Sequence, residues 1–211
     1  MYVIAERAGD GQTPLYESVA WPQTGLKLEY YILVSVVQDS VPDDALLKTY
    51  RGSARPERWN HHVDCFTVTV DRSVRLSDFV IAFYTSRLFR VERLLLTIVF
   101  RAPSTDAQVH AVAEGSTNSF AIWRVGERTS TQLLMCDRYE KTRSWFRVVP
   151  NDNGRTVLQF GSAVAARRDR RTGSMQLRTG FRVLLPFHVL YSKLLLKAAT
   201  NRVMSFSGHL D

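Results

Sequence analysis

The clearest hydrophobic pattern lies near the C-terminal end of the chain, between residues 181 and 200. Apolar positions recur there at intervals of three and four residues, which places them on one side of a helix: Phe187, Leu190, Tyr191, Leu194, Leu195 and Ala198. A stripe of this length needs a large apolar surface to cover it. The spacing therefore predicts a long C-terminal helix that packs across a sheet.

The segment from His62 to Val70 alternates with the two-residue period of a strand. Phe66, Val68 and Val70 fall on one side, and Cys65 falls on the other with the intervening threonines. This segment is predicted to be the first strand of the main sheet.

Two short helices are predicted directly after this strand. The first begins near residue 77 and the second covers residues 88–100. The second is predicted to carry an apolar stripe formed by Leu88, Val91, Leu95 and Ile98 or Val99. A third helix is predicted from the capping-box pair Thr105 and Gln108, with Gly115 as its C-terminal stop.

Four segments with strand composition follow between residues 120 and 167, separated by short turn sequences such as Asn151-Asp152-Asn153-Gly154. Short connections favour antiparallel neighbours. The predicted fold class is therefore α+β, an antiparallel sheet wrapped around a long C-terminal helix, with two short helices after the first main strand. The main domain is predicted to cover residues 59–211. Residues 1–58 are predicted to form a partly irregular N-terminal extension.

Composition and charge narrow the classes of partner. The chain of 211 residues is 45% hydrophobic and 23% charged, which is typical of a globular domain. Its net charge of +8 is unevenly distributed, because residues 1–60 carry six Lys or Arg and eight Asp or Glu.

The strongest basic cluster is Arg167, Arg168, Arg170 and Arg171. Such a cluster is typical of a solvated hairpin tip, and the alternative is an anionic partner, either a membrane surface or nucleic acid. Nucleic acid is the less favoured of these, because no aromatic residue interleaves the cluster.

The two cysteines, Cys65 and Cys136, each lie in an apolar run and are expected to be unpaired. The longest apolar runs are far shorter than the ~20 residues needed to cross a bilayer, and no secretory signal pattern is present at the N-terminus. The cytoplasm is therefore the expected compartment.

Four stretches resemble a bacterial branch of the START-like (SRPBCC, helix-grip) superfamily. They are FVIAFYTSRLFRVERLLL (79–96), TRSWFRV (142–148), FGSAV (160–164) and PFHVLYSKLLLKAA (186–199). The resemblance covers about residues 60–200, and the predicted order of strand, helices, meander and long helix agrees with it. Members of this superfamily host many activities, so the resemblance indicates a fold more directly than a function.

The resemblance implies an apolar cavity between the sheet and the C-terminal helix. Large side chains that could line such a cavity are Tyr84, Trp123, Trp145, Phe160, Phe187, His188 and Tyr191. The alternative is that these side chains fill a solid core.

Three functions remain open on these observations. The first is binding of an apolar or amphipathic small molecule in the implied cavity. The second is an enzyme of the cyclase or isomerase type that uses the same pocket, with Tyr84, His188 or Asp137 in acid–base roles. The third is binding of an anionic partner or nucleic acid through the cluster Arg167–Arg171. Whether the chain is an enzyme stays open.

No cofactor is predicted. His61, His62 and Asp64 are capable metal ligands, but consecutive residues on a strand point to opposite faces and do not converge alone. The chain has no CxxC, HxxxH or HExxH motif, so the sequence does not predict metal binding as a primary function. Ser162 lacks the flanking sequence of a nucleophile elbow, and no pattern points to a Ser-His-Asp triad.

Overall fold

A seven-stranded antiparallel sheet is the centre of this computed structural model, which describes residues 35–52, 59, 62–168, 173–176 and 179–205. Its strands are β1 (Val37–Gln38), β2 (Val63–Val70), β3 (Ser119–Phe120), β4 (Trp123–Arg128), β5 (Gln132–Asp137), β6 (Thr142–Pro150) and β7 (Thr156–Val164). They lie in the order β1-β2-β7-β6-β5-β4-β3. The first long strand, β2, therefore pairs with β7, the last strand of the predicted meander.

Five helices accompany the sheet in the described part of the chain. They are α1 (Leu46–Thr49), α2 (Leu76–Tyr84), α3 (Arg87–Phe100), α4 (Asp106–Ala113) and α5 (Thr179–Ser205). The predicted capping box of Thr105 and Gln108 forms at the start of α4, and Gly115 adopts a positive φ just after its end. The α+β class, the two helices after β2 and the C-terminal helix are confirmed. No helix among the described residues is both long enough and apolar enough to cross a membrane.

The alternation predicted for β2 is also confirmed. Phe66, Val68 and Val70 belong to the main hydrophobic core, whereas Cys65 belongs to a second cluster on the other face of the sheet. We call these the inner and outer faces. Both faces of the sheet are therefore buried over part of their area.

Aromatic side chains of α2 fill the centre of the inner face. The ring centroid of Phe83 lies 4.6 Å from that of Phe160 and 4.9 Å from that of Phe146. Tyr84 lies 4.8 Å from Phe120, and both are buried. Edge-to-face and tilted contacts at these distances are typical of a packed aromatic core.

Helix α5 contacts this core through a different face from the one predicted. Phe187, Leu190 and Leu194 are 66%, 54% and 46% exposed. The buried apolar side chains of α5 are Leu195, Leu196, Ala199 and Val203. The apolar period predicted the helix correctly, but the prediction that its whole stripe packs on the sheet was wrong.

A similar exposure occurs in α3. Four residues of its predicted apolar stripe are exposed, namely Val91, Leu95, Ile98 and Val99. The core contacts of α3 include Phe89, which lies 4.7 Å from Tyr84 between ring centroids, and Leu88 of the predicted stripe, which is partly buried against the core. Hydrophobic periodicity identifies an apolar face but does not say what covers it.

The segment that contains α1 covers the outer face. Leu46 and Leu47 pack with Trp145 in the outer cluster. The Oε1 atom of Gln132 accepts hydrogen bonds from the Trp145 indole at 2.8 Å and from the backbone N–H of Leu46 at 3.0 Å. Residues in the predicted N-terminal extension therefore contact the sheet, although the boundary at residue 58 itself remains a prediction.

Two cysteines and an arginine are also buried on the outer face. Cys65 and Cys136 are free, as predicted. The guanidinium of Arg143 lies 3.8 Å from the ring centroid of Trp59 and 4.9 Å from that of Tyr50, which are cation–π distances. Burial lowers the pKa of Arg143. Aromatic rings thus substitute in part for the water that this cation loses.

If the inner face is filled, Phe83→Ala should lower the free energy of unfolding by about 3–5 kcal/mol, because the lost ring leaves a cavity in a packed core. Urea unfolding followed by circular dichroism measures this change. The control is Val37→Ala, which alters an exposed side chain on β1 and is expected to change stability by less than about 0.5 kcal/mol. An effect of Phe83→Ala as small as that of the control would mean that open space surrounds this ring.

Candidate functional site

Three ligand-capable side chains meet where β2 begins. His62 immediately precedes β2, Asp64 lies on its inner face, and His188 lies on α5. The Nε2 atoms of the two histidines are each 3.4 Å from the same oxygen, Oδ2 of Asp64. The three ligand atoms all lie within 4.8 Å of one another. We call this group the His-Asp-His cluster.

Strand pairing positions the carboxylate of this cluster. Asp64 on β2 lies directly opposite Ser162 on β7. The backbone N–H and the hydroxyl of Ser162 donate to Asp64 Oδ1 at 2.9 Å and 2.8 Å. Ser162 Oγ is also 2.8 Å from Nε2 of His188. Ser162 therefore holds one oxygen of Asp64 in place and leaves the other oxygen facing both imidazoles.

The cluster is buried at its carboxylate and more open at its histidines. The side chain of Asp64 is 2% exposed, compared with 13% for His62 and 25% for His188. Burial would raise the pKa of Asp64, but hydrogen bonds from His188, His62 and Ser162 outweigh burial and hold this pKa well below its usual range. The cluster thus contains a buried carboxylate anion, which requires a compensating cation or hydrogen-bond donors.

The residue types of a catalytic triad are present, but their arrangement differs from one. In a triad, serine and carboxylate contact opposite nitrogens of the imidazole, so that the ring can pass a proton. Here Ser162 Oγ and Asp64 Oδ2 both face Nε2 of His188. The hydroxyl of Ser162 donates to Asp64 instead of to the histidine. The geometry is that of side chains converging on a common point.

A partly buried polar pair lies beside the cluster. The hydroxyl of Tyr191 on α5 donates to Glu92 Oε2 on α3 at 2.7 Å. Burial raises the pKa of Glu92, and the bond from Tyr191 and the charge of His188 only partly oppose this effect. Burial and the neighbouring Glu92 together raise the pKa of Tyr191. This pair joins α3 to α5.

The residues predicted to line a cavity do not surround one space. The main core contains Tyr84, Trp123 and Phe160. Trp145 lies in the outer cluster, so it cannot line a space beneath α5, and Phe187 is largely exposed. His188 and Tyr191 belong to the two polar groups described above. Strand parity explains the correction for Trp145, since its side chain points away from that of its neighbour Phe146.

An open pocket of about 320 Å³ lies elsewhere, around the start of α2. Its lining includes Arg72, Arg75 and His110. None of the predicted cavity residues lines it.

The remaining predicted functional residues are Asp137 and the arginine cluster. Asp137 accepts hydrogen bonds from the backbone N–H groups of Tyr139 and Lys141 at 2.7 Å and 2.9 Å, so it stabilises the turn between β5 and β6. Arg167 and Arg168 form the two-residue strand β8 (Arg167–Arg168), which pairs with β9 (Met175–Gln176). Arg170 and Arg171 lie outside the described residues. Binding of an anionic partner through this cluster remains a prediction.

The His-Asp-His cluster was not predicted from the sequence. His62 and Asp64 are two residues apart, and this spacing alone places their side chains on the same side of an extended chain. His188 and Ser162 are brought to them only by the β2–β7 pairing and by the position of α5. The first relation could have been found from the spacing, whereas the second could not.

Comparison with known proteins gives no independent identification. No family model matches this chain, and neither a curated protein nor a solved structure shows significant similarity to it. The START-like resemblance therefore stays a prediction, and the function has to be argued from the site itself.

Replacing Glu92 should change how stability depends on pH. Because the pKa of Glu92 is raised on folding, the native state binds more protons than the unfolded chain above the ordinary value of 4.5, so this group makes stability fall as the pH rises. Glu92→Gln removes that contribution and keeps an oxygen for Tyr191. We expect the stability of the variant, relative to wild type, to increase from pH 4.5 upward in urea unfolding experiments.

The matched control is Glu114→Gln, which alters an exposed carboxylate at the end of α4 and should leave the pH profile unchanged. A relative stability of Glu92→Gln that decreases with rising pH would contradict the burial argument.

Proposed function

We propose that this protein binds a divalent transition-metal ion of the zinc class through Nε2 of His62, Oδ2 of Asp64 and Nε2 of His188. The observation that carries the proposal is the convergence of two imidazole nitrogens on one buried carboxylate oxygen. Imidazole and carboxylate are ordinary ligands of zinc, and two histidines with one carboxylate are also a common ligand set for non-haem iron(II).

The distances support this reading. Ligands held about 2.0–2.1 Å from a tetrahedral zinc ion are about 3.3–3.4 Å from each other. Both nitrogen–oxygen separations in the cluster are 3.4 Å, and all three ligand atoms lie within 4.8 Å of one another, so binding of an ion would draw the two histidine nitrogens together. The two histidines approach Asp64 from different elements, His62 from the residue before β2 and His188 from α5, and their ring centroids are 5.7 Å apart.

The surroundings of Asp64 also support the proposal. Metal-binding carboxylates are commonly oriented by hydrogen bonds to their second oxygen. Ser162 supplies two such bonds to Oδ1 and leaves Oδ2 to the histidines. A bound cation would also compensate the buried negative charge of Asp64.

Three protein ligands would leave at least one position of the ion for water or for a ligand oxygen. Zinc sites with three protein ligands are typically catalytic, whereas structural sites are closed by four. The 25% exposure of the His188 side chain provides access from the surface of α5. An ion at this position could polarise a bound oxygen, which is the general chemistry of such sites.

The hypotheses drawn from the START-like resemblance remain proposals of lower rank. The element order, with two helices after β2 and a long helix after the meander, supports a helix-grip arrangement. The packing of Phe83 against Phe146 and Phe160 argues against a preformed cavity for an apolar ligand at that place. The residues named for acid–base catalysis lie apart, because Tyr84 is in the core and Asp137 is in a turn.

Metal binding can be tested with purified protein that has been stripped with a chelator and dialysed against Zn²⁺. Wild-type protein is expected to retain a stoichiometric amount of zinc, measured by elemental mass spectrometry. His188→Gln and Asp64→Asn should each weaken binding at least about tenfold in calorimetric titrations, because each removes a ligand atom. Parallel titrations with Co²⁺ and Fe²⁺ under anaerobic conditions rank the ions.

His110→Gln is the control, since His110 is exposed on α4 and lies outside the cluster. Circular dichroism verifies that each variant is folded. Absence of bound metal in wild type, or equal affinities of wild type and folded His188→Gln, would refute the proposal.

A further inference from the structure

An extended apolar surface lies on α3 and on the first half of α5. On α3 the exposed side chains are Val91, Leu94, Leu95, Ile98 and Val99. On α5 they are Phe187, Leu190 and Leu194. Eight of the eleven large hydrophobic side chains that are exposed among the described residues therefore belong to two helices. We call this surface the α3–α5 apolar face. Apolar patches of this kind on a protein surface usually mark an interaction site.

The two stripes are parts of one neighbourhood. The five residues of α3 follow a helical period, so they lie on the side of α3 opposite its core residue Phe89. The hydrogen bond from Tyr191 to Glu92 joins α5 to α3 between the stripes. The ring of Tyr191 stacks on that of Phe187, with 6.1 Å between centroids.

Basic side chains that form no ion pair among the described residues flank this face at the two ends of α3. Arg87 and Arg101 are exposed there, whereas Arg90 and Arg93 are paired with Asp106, and the acid Glu92 is engaged by Tyr191. The other helix of the face, α5, contains no acidic residue. An occupant of the face should therefore offer an apolar interior together with negative charge at its surface.

We propose that the α3–α5 apolar face docks on the surface of an anionic phospholipid membrane. Apolar side chains of an interfacial helix enter the boundary between headgroups and acyl chains, and basic side chains beside them meet the lipid phosphates. A second copy of this chain fits the face less well, because a symmetric contact would bring two basic surfaces together. This inference does not depend on the metal proposal.

The proposal can be tested with the full chain and sedimented lipid vesicles. Wild-type protein should bind vesicles of phosphatidylcholine mixed with phosphatidylserine, bind phosphatidylcholine alone at least about tenfold more weakly, and lose affinity as salt is added. The double variant Leu94→Ser/Ile98→Ser should lose most of its binding. Arg87→Gln/Arg101→Gln should reduce binding to the anionic vesicles only. Binding should be the same with and without a chelator, which separates this result from the metal experiment.

Val37→Ser is the control, because it removes an exposed apolar side chain from β1, outside the face. All these positions are exposed, so the variants should fold, and circular dichroism verifies this. The proposal is overturned if wild type fails to bind anionic vesicles or if Leu94→Ser/Ile98→Ser binds as wild type does. It is also overturned if wild type is a dimer in light scattering that the same double variant converts to a monomer, since the face would then be an interface between copies.

Discussion

The packing of α2 against the inner face of the sheet constrains everything else in this structure. Phe79 and Phe83 occupy the middle of that face together with Phe146 and Phe160. Because aromatic side chains already cover this surface, the described apolar side chains of α5 that are fully buried lie in its C-terminal half, around Leu196, and Val189 and Tyr191 are only partly buried against the core. Phe187, Leu190 and Leu194 are exposed. His188 therefore lies at the rim of the core, where a polar cluster can form.

This arrangement explains how much could be predicted from the sequence. Local patterns were reliable: the alternation in β2, the Thr105–Gln108 capping box and the turn before Gly154 depend on neighbouring residues, and all are present. The burial of helical stripes was not reliable. A 3.6-residue period is the same whether a stripe meets a sheet or remains exposed, and α2, which is apolar around most of its circumference, had already covered the sheet.

The candidate site shows the same division at the level of single residues. His62 and Asp64 lie on the same side of the chain because they are two residues apart. The prediction of no metal site considered this segment alone, without the residues of β7 and α5 that pack against it. Ser162 and His188 come from β7 and α5, and only the register of the sheet brings Ser162 opposite Asp64. Buried polar groups of this kind are specified by tertiary structure, so a motif search on one segment does not detect them.

The pairing of β2 with β7 has a consequence for how the chain acquires its structure. The Ser162–Asp64 contact joins residues 98 positions apart in the sequence. The edge of β2 that pairs with β7 stays unpaired until β7 is in place. Contacts between residues that are distant in the sequence slow folding, because the entropy of a long loop is lost before these contacts can stabilise the chain. During synthesis, β2 therefore emerges from the ribosome well before its partner, whereas β4, β5 and β6 can form hairpins as they appear. The polar cluster, which also needs α5, is completed last.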